Sequence, residues 1–161
     1  MRAPFLMLTR APYAGLNRGA QCIPLCAPMI PFYILLADDE AEIRVLLTRW
    51  LENEGHNVTC AANGVEAIAI AQVKEFDLVV TDVLMPESDG VQLISQLKKL
   101  RPKARVLAIS GGGRVLDGAD CLRMAQGLGA HAAVMKPFTK AQFLAAVTQA
   151  VGPPPTLGYV P

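Results

Sequence analysis

The sequence has few of the residues that disulfide frameworks and zinc sites require. Its 161 residues include four cysteines and two histidines, and only 18% of the residues are charged. The cysteines lack the spacing of a disulfide framework, which favours a reduced, cytoplasmic protein. Cys22 and Cys26 form one close pair with no second pair or histidine nearby, so a structural zinc site is not expected.

Acidic residues are absent from the first thirty residues, whereas basic and acidic residues are nearly balanced in the rest of the chain. Three of the 15 basic residues and none of the 14 acidic ones lie in residues 1–30. No basic patch stands out in the rest, so nucleic-acid binding is not expected. The uncharged stretch 19–37 contains three prolines, each of which would break a membrane-spanning helix, so no membrane span is expected either.

The chain divides into two irregular ends and a regular middle. Residues 1–30 contain four prolines and no periodic pattern, which predicts an irregular N-terminal extension. A second hypothesis is that translation starts at Met29, which would make the extension an artefact of the gene boundaries. Residues 152–161 form a proline-rich tail, and residues 31–151 are expected to form one domain.

Short apolar runs alternate with helical patterns in this middle part. The runs are uniformly apolar, which is typical of parallel strands that are covered on both faces. The first helix has an apolar stripe made of Ile43, Leu46, Leu47, Trp50 and Leu51. Gly55 stops that helix, and Thr139 caps the last one. Cys60 alternates with Val58 and is expected to face the core. The predicted fold is an α/β sheet of five parallel strands at 33–37, 58–61, 78–81, 106–109 and 132–135, with helices at 42–54, 65–73, 91–100, 117–128 and 139–151.

Polar side chains follow four of the five apolar runs. Asp38 and Asp39 follow the first run, Asp82 the third, Ser110 the fourth and Lys136 the fifth. The carboxyl ends of parallel strands meet at one edge of a sheet. With strand order 2-1-3-4-5 the first and third strands are neighbours, so three aspartates would lie within reach of one point. Several carboxylates without a thiol or imidazole partner favour a hard cation such as Mg²⁺.

Each of these residues, taken alone, has an ordinary structural explanation. Asp39 could cap the following helix, Asp82 could form a turn, and Lys136 and Ser110 could be unremarkable loop residues. Glu40 is interpreted as a solvated residue at the start of that helix, where the helix dipole favours it. The functional interpretation depends on the joint placement of the polar residues at strand ends.

These polar residues resemble those of the receiver domain of two-component response regulators. The resemblance extends over residues 31–151 and includes the sequences Met85-Pro86, Asp89-Gly90 and Lys136-Pro137-Phe138. The resemblance implies a flavodoxin-like, doubly wound (βα)5 fold with strand order 2-1-3-4-5. It also implies that the chain accepts a phosphoryl group from the phosphohistidine of a histidine kinase. Receivers usually have a cis peptide before the proline that corresponds to Pro137.

The same resemblance implies a role for each site residue. Asp82 would be the phosphoacceptor, while Lys136 and Ser110 would contact phosphoryl oxygens. The Mg²⁺ ligands would be Asp39, Asp82, the backbone carbonyl of Leu84 and, through a water molecule, Asp38. Ala133 departs from the pattern, because receivers commonly carry there an aromatic residue that couples to the hydroxyl residue after strand four.

The expected function is that of a single-domain response regulator, since only ten residues follow the last predicted helix. Such a protein is not an enzyme for other substrates. Its partners would be a sensor histidine kinase or a histidine phosphotransfer protein and an unknown downstream protein, and it would be a monomer or a phosphorylation-dependent dimer. Two alternatives are a pseudo-receiver that is never phosphorylated and a Mg²⁺-dependent phosphatase. For the haloacid-dehalogenase-type phosphatases, Leu84 stands where a second aspartate is needed.

Overall fold

The computed structural model describes residues 31–85, 90–111 and 118–152, which form a five-stranded sheet with helices on both faces. All strands are parallel and lie in the order β2-β1-β3-β4-β5, as predicted. The elements are β1 (Tyr33–Ala37), α1 (Ala41–Asn53), β2 (Asn57–Ala61), α2 (Gly64–Val73), β3 (Leu78–Asp82), α3 (Gly90–Leu100), β4 (Arg105–Ser110), α4 (Gly118–Gly127), β5 (Ala132–Met135) and α5 (Lys140–Val151).

The element boundaries agree with the sequence-based prediction to within one residue. The predicted N-terminal extension (1–30) and all but the first residue of the predicted tail (152–161) lie outside the described residues, as do parts of the two loops after β3 and β4. None of the helices in the described ranges is long and apolar enough to cross a membrane.

The core lies on both faces of the sheet because successive strand residues point to opposite sides. In β1, Ile34 and Leu36 face α1 and α5, whereas Leu35 and Ala37 face α2 and α3. All four are fully buried. This two-sided burial explains why the strands are uniformly apolar in the sequence.

Local signals in the sequence determine several helix ends. Gly55 has a φ of 85° just after α1, a conformation that glycine adopts without steric cost. The hydroxyl of Thr139 accepts a hydrogen bond from the backbone N–H of Gln142, whose side chain accepts one from the N–H of Thr139. This capping box starts α5 where the sequence predicted it.

Two side chains are more exposed than the sequence predicted. Cys60 is exposed, with its sulfur 3.2 Å from the hydroxyl of Thr48, so its assignment to the core was wrong. The reason is that β2 is an edge strand, where the sheet is only partly covered. Leu46, a member of the predicted α1 stripe, is also 41% exposed, whereas Trp50 packs against the core rings of Phe138 and Phe143.

Both histidines of the chain accept hydrogen bonds from backbone N–H groups at strand starts. Nδ1 of His56 accepts from Phe32 at 3.4 Å, and Nδ1 of His131 accepts from Val106 at 3.1 Å. Burial lowers the pKa of His56, and the charge of Glu54 opposes this only in part. Burial also lowers the pKa of His131, and the charges of Lys98 and Arg105 lower it further. The fold therefore favours both imidazoles in their neutral form.

We predict that the protein loses stability as the pH falls below about 6.5, the ordinary pKa of histidine. Below that pH the imidazoles of the unfolded chain bind protons, whereas those of the folded protein stay neutral because their pKa is lower. Acid therefore shifts the equilibrium towards unfolding. The loss between pH 7.5 and 5.5, measured by urea denaturation, should be smaller for a His56→Gln/His131→Gln double variant. Equal losses in the two proteins would contradict the prediction.

Candidate functional site

The strand register brings the predicted site residues to one edge of the sheet. Ala37 lies opposite Thr81 in the β1–β3 pair, so the next residues, Asp38 and Asp82, are neighbours at the carboxyl ends of these strands. Ser110 lies opposite Met135 in the β4–β5 pair, and Lys136 follows directly. Four residues that are up to 98 positions apart in the chain thus share one edge.

Lys136 connects the carboxylates at this edge. Its Nζ lies 2.7 Å from Oδ2 of Asp82, 3.1 Å from Oδ2 of Asp38 and 3.2 Å from Oε1 of Glu40. The Lys136 side chain is only 17% exposed, and the two aspartates are buried. The ammonium therefore holds a set of carboxylates that would otherwise repel one another in a site with little water.

The protonation of the pocket follows from one ammonium facing several acids. Burial alone lowers the pKa of Lys136, but the hydrogen bonds and charges of Asp82 and Asp38 outweigh burial and raise it. Burial also raises the pKa of Asp38, and the hydrogen bond from the backbone of Glu40 and the charge of Lys136 compensate only in part. Lys136 lies closer to Asp82 than to Asp38, and the fold opposes the ionisation of Asp38.

The third carboxylate of the cluster belongs to Glu40. Among the described residues, oxygens of Asp38, Glu40 and Asp82 lie within 4.8 Å of one another and could hold a metal ion. Asp39 is exposed and is not part of this group. Glu40, interpreted from the sequence as a solvated helix start, instead reaches Lys136. The clustered donors are all carboxylate oxygens, which fit Mg²⁺.

The backbone around Asp82 is held in place from several directions. The N–H of Leu84 donates to Oδ1 of Asp82 at 2.8 Å, and the N–H of Val83 donates to the carbonyl of Ile109 at 2.7 Å. Gly90 at the start of α3 lies so close that a Cβ there would be 2.1 Å from the carbonyl oxygen of Asp82. The backbone at Asp82 can therefore lie in this position only because a glycine stands eight positions later.

Strands β4 and β5 shape the other side of the pocket. Ser110 is fully buried, and its carbonyl accepts a hydrogen bond from the N–H of Lys136 at 2.8 Å. The Lys136–Pro137 peptide is cis, as the resemblance implied. Ala133 packs partly buried against a core cluster on the α3 and α4 side of the sheet. Residues 112–117, in the loop after β4, lie outside the described residues.

Comparison with known proteins agrees with this geometry. The family described as response regulator receiver domain matches residues 34–148. The chain belongs to this family. The receiver family and the fold inferred from the motifs are thereby confirmed, whereas the role of each receiver residue stays a prediction.

Individual relatives of this receiver differ in length. The regulatory protein VanRc of Enterococcus gallinarum is 39% identical over 114 residues, which are 71% of this chain and 47% of VanRc. Sporulation initiation phosphotransferase F of Bacillus subtilis is 32% identical over 65% of this chain and 82% of its own length. The chain thus spans about half the length of VanRc but most of the phosphotransferase.

A solved structure gives the same fold. The CheY-like receiver domain protein of Methanospirillum hungatei superimposes with a TM-score of 0.68 at 26% identity, covering 76% of this chain and 94% of that one. The superposition supports the strand order and the position of the carboxyl edge described above.

We predict that Gly90→Ala destabilises the receiver by about 1–3 kcal/mol, the usual cost of forcing a methyl group into a filled space. The methyl group would meet backbone atoms of Asp82 and Val83, which cannot rotate away as a side chain can. Gly127→Ala is the matched control, because no atom lies within 4 Å of a Cβ at Gly127. Urea denaturation of both variants should show a loss for Gly90→Ala alone, and equal stabilities would contradict the close approach.

Proposed function

We propose that this protein is a single-domain response regulator that accepts a phosphoryl group on Asp82 with the help of Mg²⁺. The observation that carries the proposal is the buried Asp82 carboxylate, with Oδ1 held by the N–H of Leu84 and Oδ2 facing the Lys136 ammonium at 2.7 Å. This arrangement aims the carboxylate at the open edge of the sheet, where receivers carry their acceptor. It also places a cation where the negative charge of a phosphoryl group would arrive.

The proposed reaction is a transfer from a phosphohistidine. An oxygen of Asp82 attacks the phosphorus atom, a P–O bond forms, and the P–N bond to the donor imidazole breaks. The imidazole nitrogen leaves with the electron pair, and a proton carried by the other ring nitrogen of the phosphohistidine makes the leaving imidazole neutral, while Asp82 becomes an acyl phosphate. Lys136 would then move its ammonium from the carboxylate to a phosphoryl oxygen, and the hydroxyl of Ser110 would donate to another.

Several residues at the edge would hold Mg²⁺. Asp38 and Asp82 belong to the carboxylate cluster, and their oxygens are suitable ligands. The direct ligand roles of Asp39 and of the Leu84 carbonyl are carried over from the family. When bound, Mg²⁺ supplies positive charge that offsets the negative charge of the phosphoryl group. The residues of the chain itself position the acceptor and exclude water from the buried carboxylates.

The proposed partners are proteins. A sensor histidine kinase or a histidine phosphotransfer protein would donate the phosphoryl group in the cytoplasm. The face formed by α4, β5 and α5 would contact the downstream protein or a second copy after phosphorylation. This face exposes the apolar side chains of Met124, Leu128 and Met135, which supports a role in protein contact. By this proposal the chain accelerates only its own phosphorylation and dephosphorylation.

We predict that incubation with acetyl phosphate and Mg²⁺ adds one phosphoryl group to the intact protein, measured by mass spectrometry. Asp82→Ala should abolish the adduct because it removes the attacking oxygen. Asp77→Asn is the matched control, since Asp77 precedes the same strand at its opposite end and its Oδ2 accepts from the N–H of Tyr33. That variant should be phosphorylated like the wild type.

Other outcomes of this experiment identify the alternatives. A folded wild-type protein that forms no adduct would indicate a pseudo-receiver. Sustained release of phosphate without a stable adduct would indicate a phosphatase. An adduct that persists in Asp82→Ala would refute Asp82 as the acceptor.

We predict that Mg²⁺ stabilises the wild-type protein, by about 2.7 kcal/mol when its concentration is a hundred times the dissociation constant. The gain arises because the ion binds carboxylates whose charges are costly to the metal-free fold. Asp38→Asn keeps a side-chain acceptor for the N–H of Glu40 but removes one buried charge. The variant should melt at a higher temperature than the wild type in EDTA and gain less from Mg²⁺. Wild-type protein whose melting temperature does not respond to Mg²⁺ would contradict the prediction.

A further inference from the structure

Glu40 occupies a position that the proposed chemistry does not explain. It precedes the first residue of α1 as the N-cap residue, but its side chain accepts no capping hydrogen bond. Its Oε1 instead lies 3.2 Å from Nζ of Lys136, although its side chain is 60% exposed and could remain in solvent. A direct contact with the lysine is therefore the role that the geometry shows.

The three partners of Lys136 differ in how freely they can release it. An ammonium has three hydrogens, and here it faces three carboxylates. The side chains of Asp38 and Asp82 are 1% and 6% exposed, and each also accepts a backbone hydrogen bond. Glu40 alone of the three is open to water, which can solvate its carboxylate when the contact breaks.

The backbone of Glu40 is held by hydrogen bonds, whereas its side chain is largely exposed. Its N–H donates to Oδ1 of Asp38 at 2.8 Å, and its carbonyl accepts from the N–H of Arg44 at 3.0 Å. The Arg44 side chain, which donates to the carbonyls of Asp38 and Asp39, further holds this turn. The carboxylate of Glu40 therefore stays tethered beside the opening of the pocket.

We propose that Glu40 is a positioning residue that holds Lys136 in the resting pocket and competes with an incoming phosphoryl group for the ammonium. This inference rests on the proposed phosphorylation of Asp82. The contact occupies the third hydrogen of the ammonium. A phosphoryl oxygen can therefore bind the ammonium only after Glu40 or another carboxylate has released it. The charge of Glu40 also lies near the path of an anionic donor, so the residue slows phosphorylation in two ways.

Three variants separate the contact from the charge. Glu40→Gln removes the charge and keeps the size of the side chain. Glu40→Asp keeps the charge but shortens the side chain by one methylene group, so the carboxylate no longer reaches Lys136. Glu42→Gln is the matched control, because Glu42 is an exposed acid of the same turn that makes no contact with Lys136 among the described residues. Thermal melting verifies that each variant is folded.

The first measurement does not require phosphorylation. Metal-free protein is treated with an amine-reactive ester, and modification of Lys136 is followed over time by peptide mass spectrometry. The reagent attacks only an unprotonated, released amine. We expect Lys136 to react about two- to fivefold faster in Glu40→Gln and Glu40→Asp, the size of effect that a partly exposed ion pair produces. Glu42→Gln should react like the wild type.

The second measurement is the rate of phosphorylation by acetyl phosphate at saturating Mg²⁺. We expect both Glu40 variants to be phosphorylated about two- to fivefold faster than wild type and Glu42→Gln, with Glu40→Gln the faster of the two because it also lacks the charge. Equal reactivity of Lys136 in all four proteins would overturn the contact, and so would wild-type behaviour of Glu40→Asp. Faster labelling with an unchanged phosphorylation rate would overturn the competition. Failure of the proposed function looks different, since no protein would then form an adduct while the labelling rates would still be measurable.

Discussion

The ion-pair cluster around Lys136 is the interaction on which the functional edge of this receiver depends. A single ammonium faces the carboxylates of Asp38, Glu40 and Asp82, so negative groups outnumber positive ones at the carboxyl ends of β1 and β3. Burial raises the pKa of Asp38, and the backbone hydrogen bond from Glu40 and the charge of Lys136 offset this only in part. This charge balance is the physical basis for expecting a further cation such as Mg²⁺ there.

The rest of the fold keeps these charges at fixed positions. The sheet is covered by helices on both faces, so its strands cannot shift without disturbing two core layers. Gly90 allows α3 to start against the backbone of Asp82, and the N–H of Leu84 orients the carboxylate. A site built on rigid strands with supporting contacts is held more closely than one built on loops alone.

The loop after β5 connects the site with the helices behind it. Phe138 lies two residues after Lys136 and stacks on Phe143 of α5, and Trp50 of α1 contacts both rings. This aromatic cluster joins the lysine loop to α1 and α5. At Ala133, in contrast, a small side chain replaces the aromatic residue that receivers commonly use, so β5 lacks that ring next to Ser110.

The sequence alone determined the fold and most of the polar residues at the site. Uniformly apolar runs, helix caps and the polar residues after the runs are local patterns, and they predicted the five parallel strands. The strand order 2-1-3-4-5, and with it the approach of Asp38 to Asp82, came from the resemblance to receiver domains. Only the tertiary structure decided which acids face Lys136, because side-chain direction at a strand end depends on the turn into α1. It turns Glu40 towards the lysine and leaves Asp39 exposed. The exposure of Cys60 likewise depends on β2 being an edge strand, which periodicity within one strand does not encode.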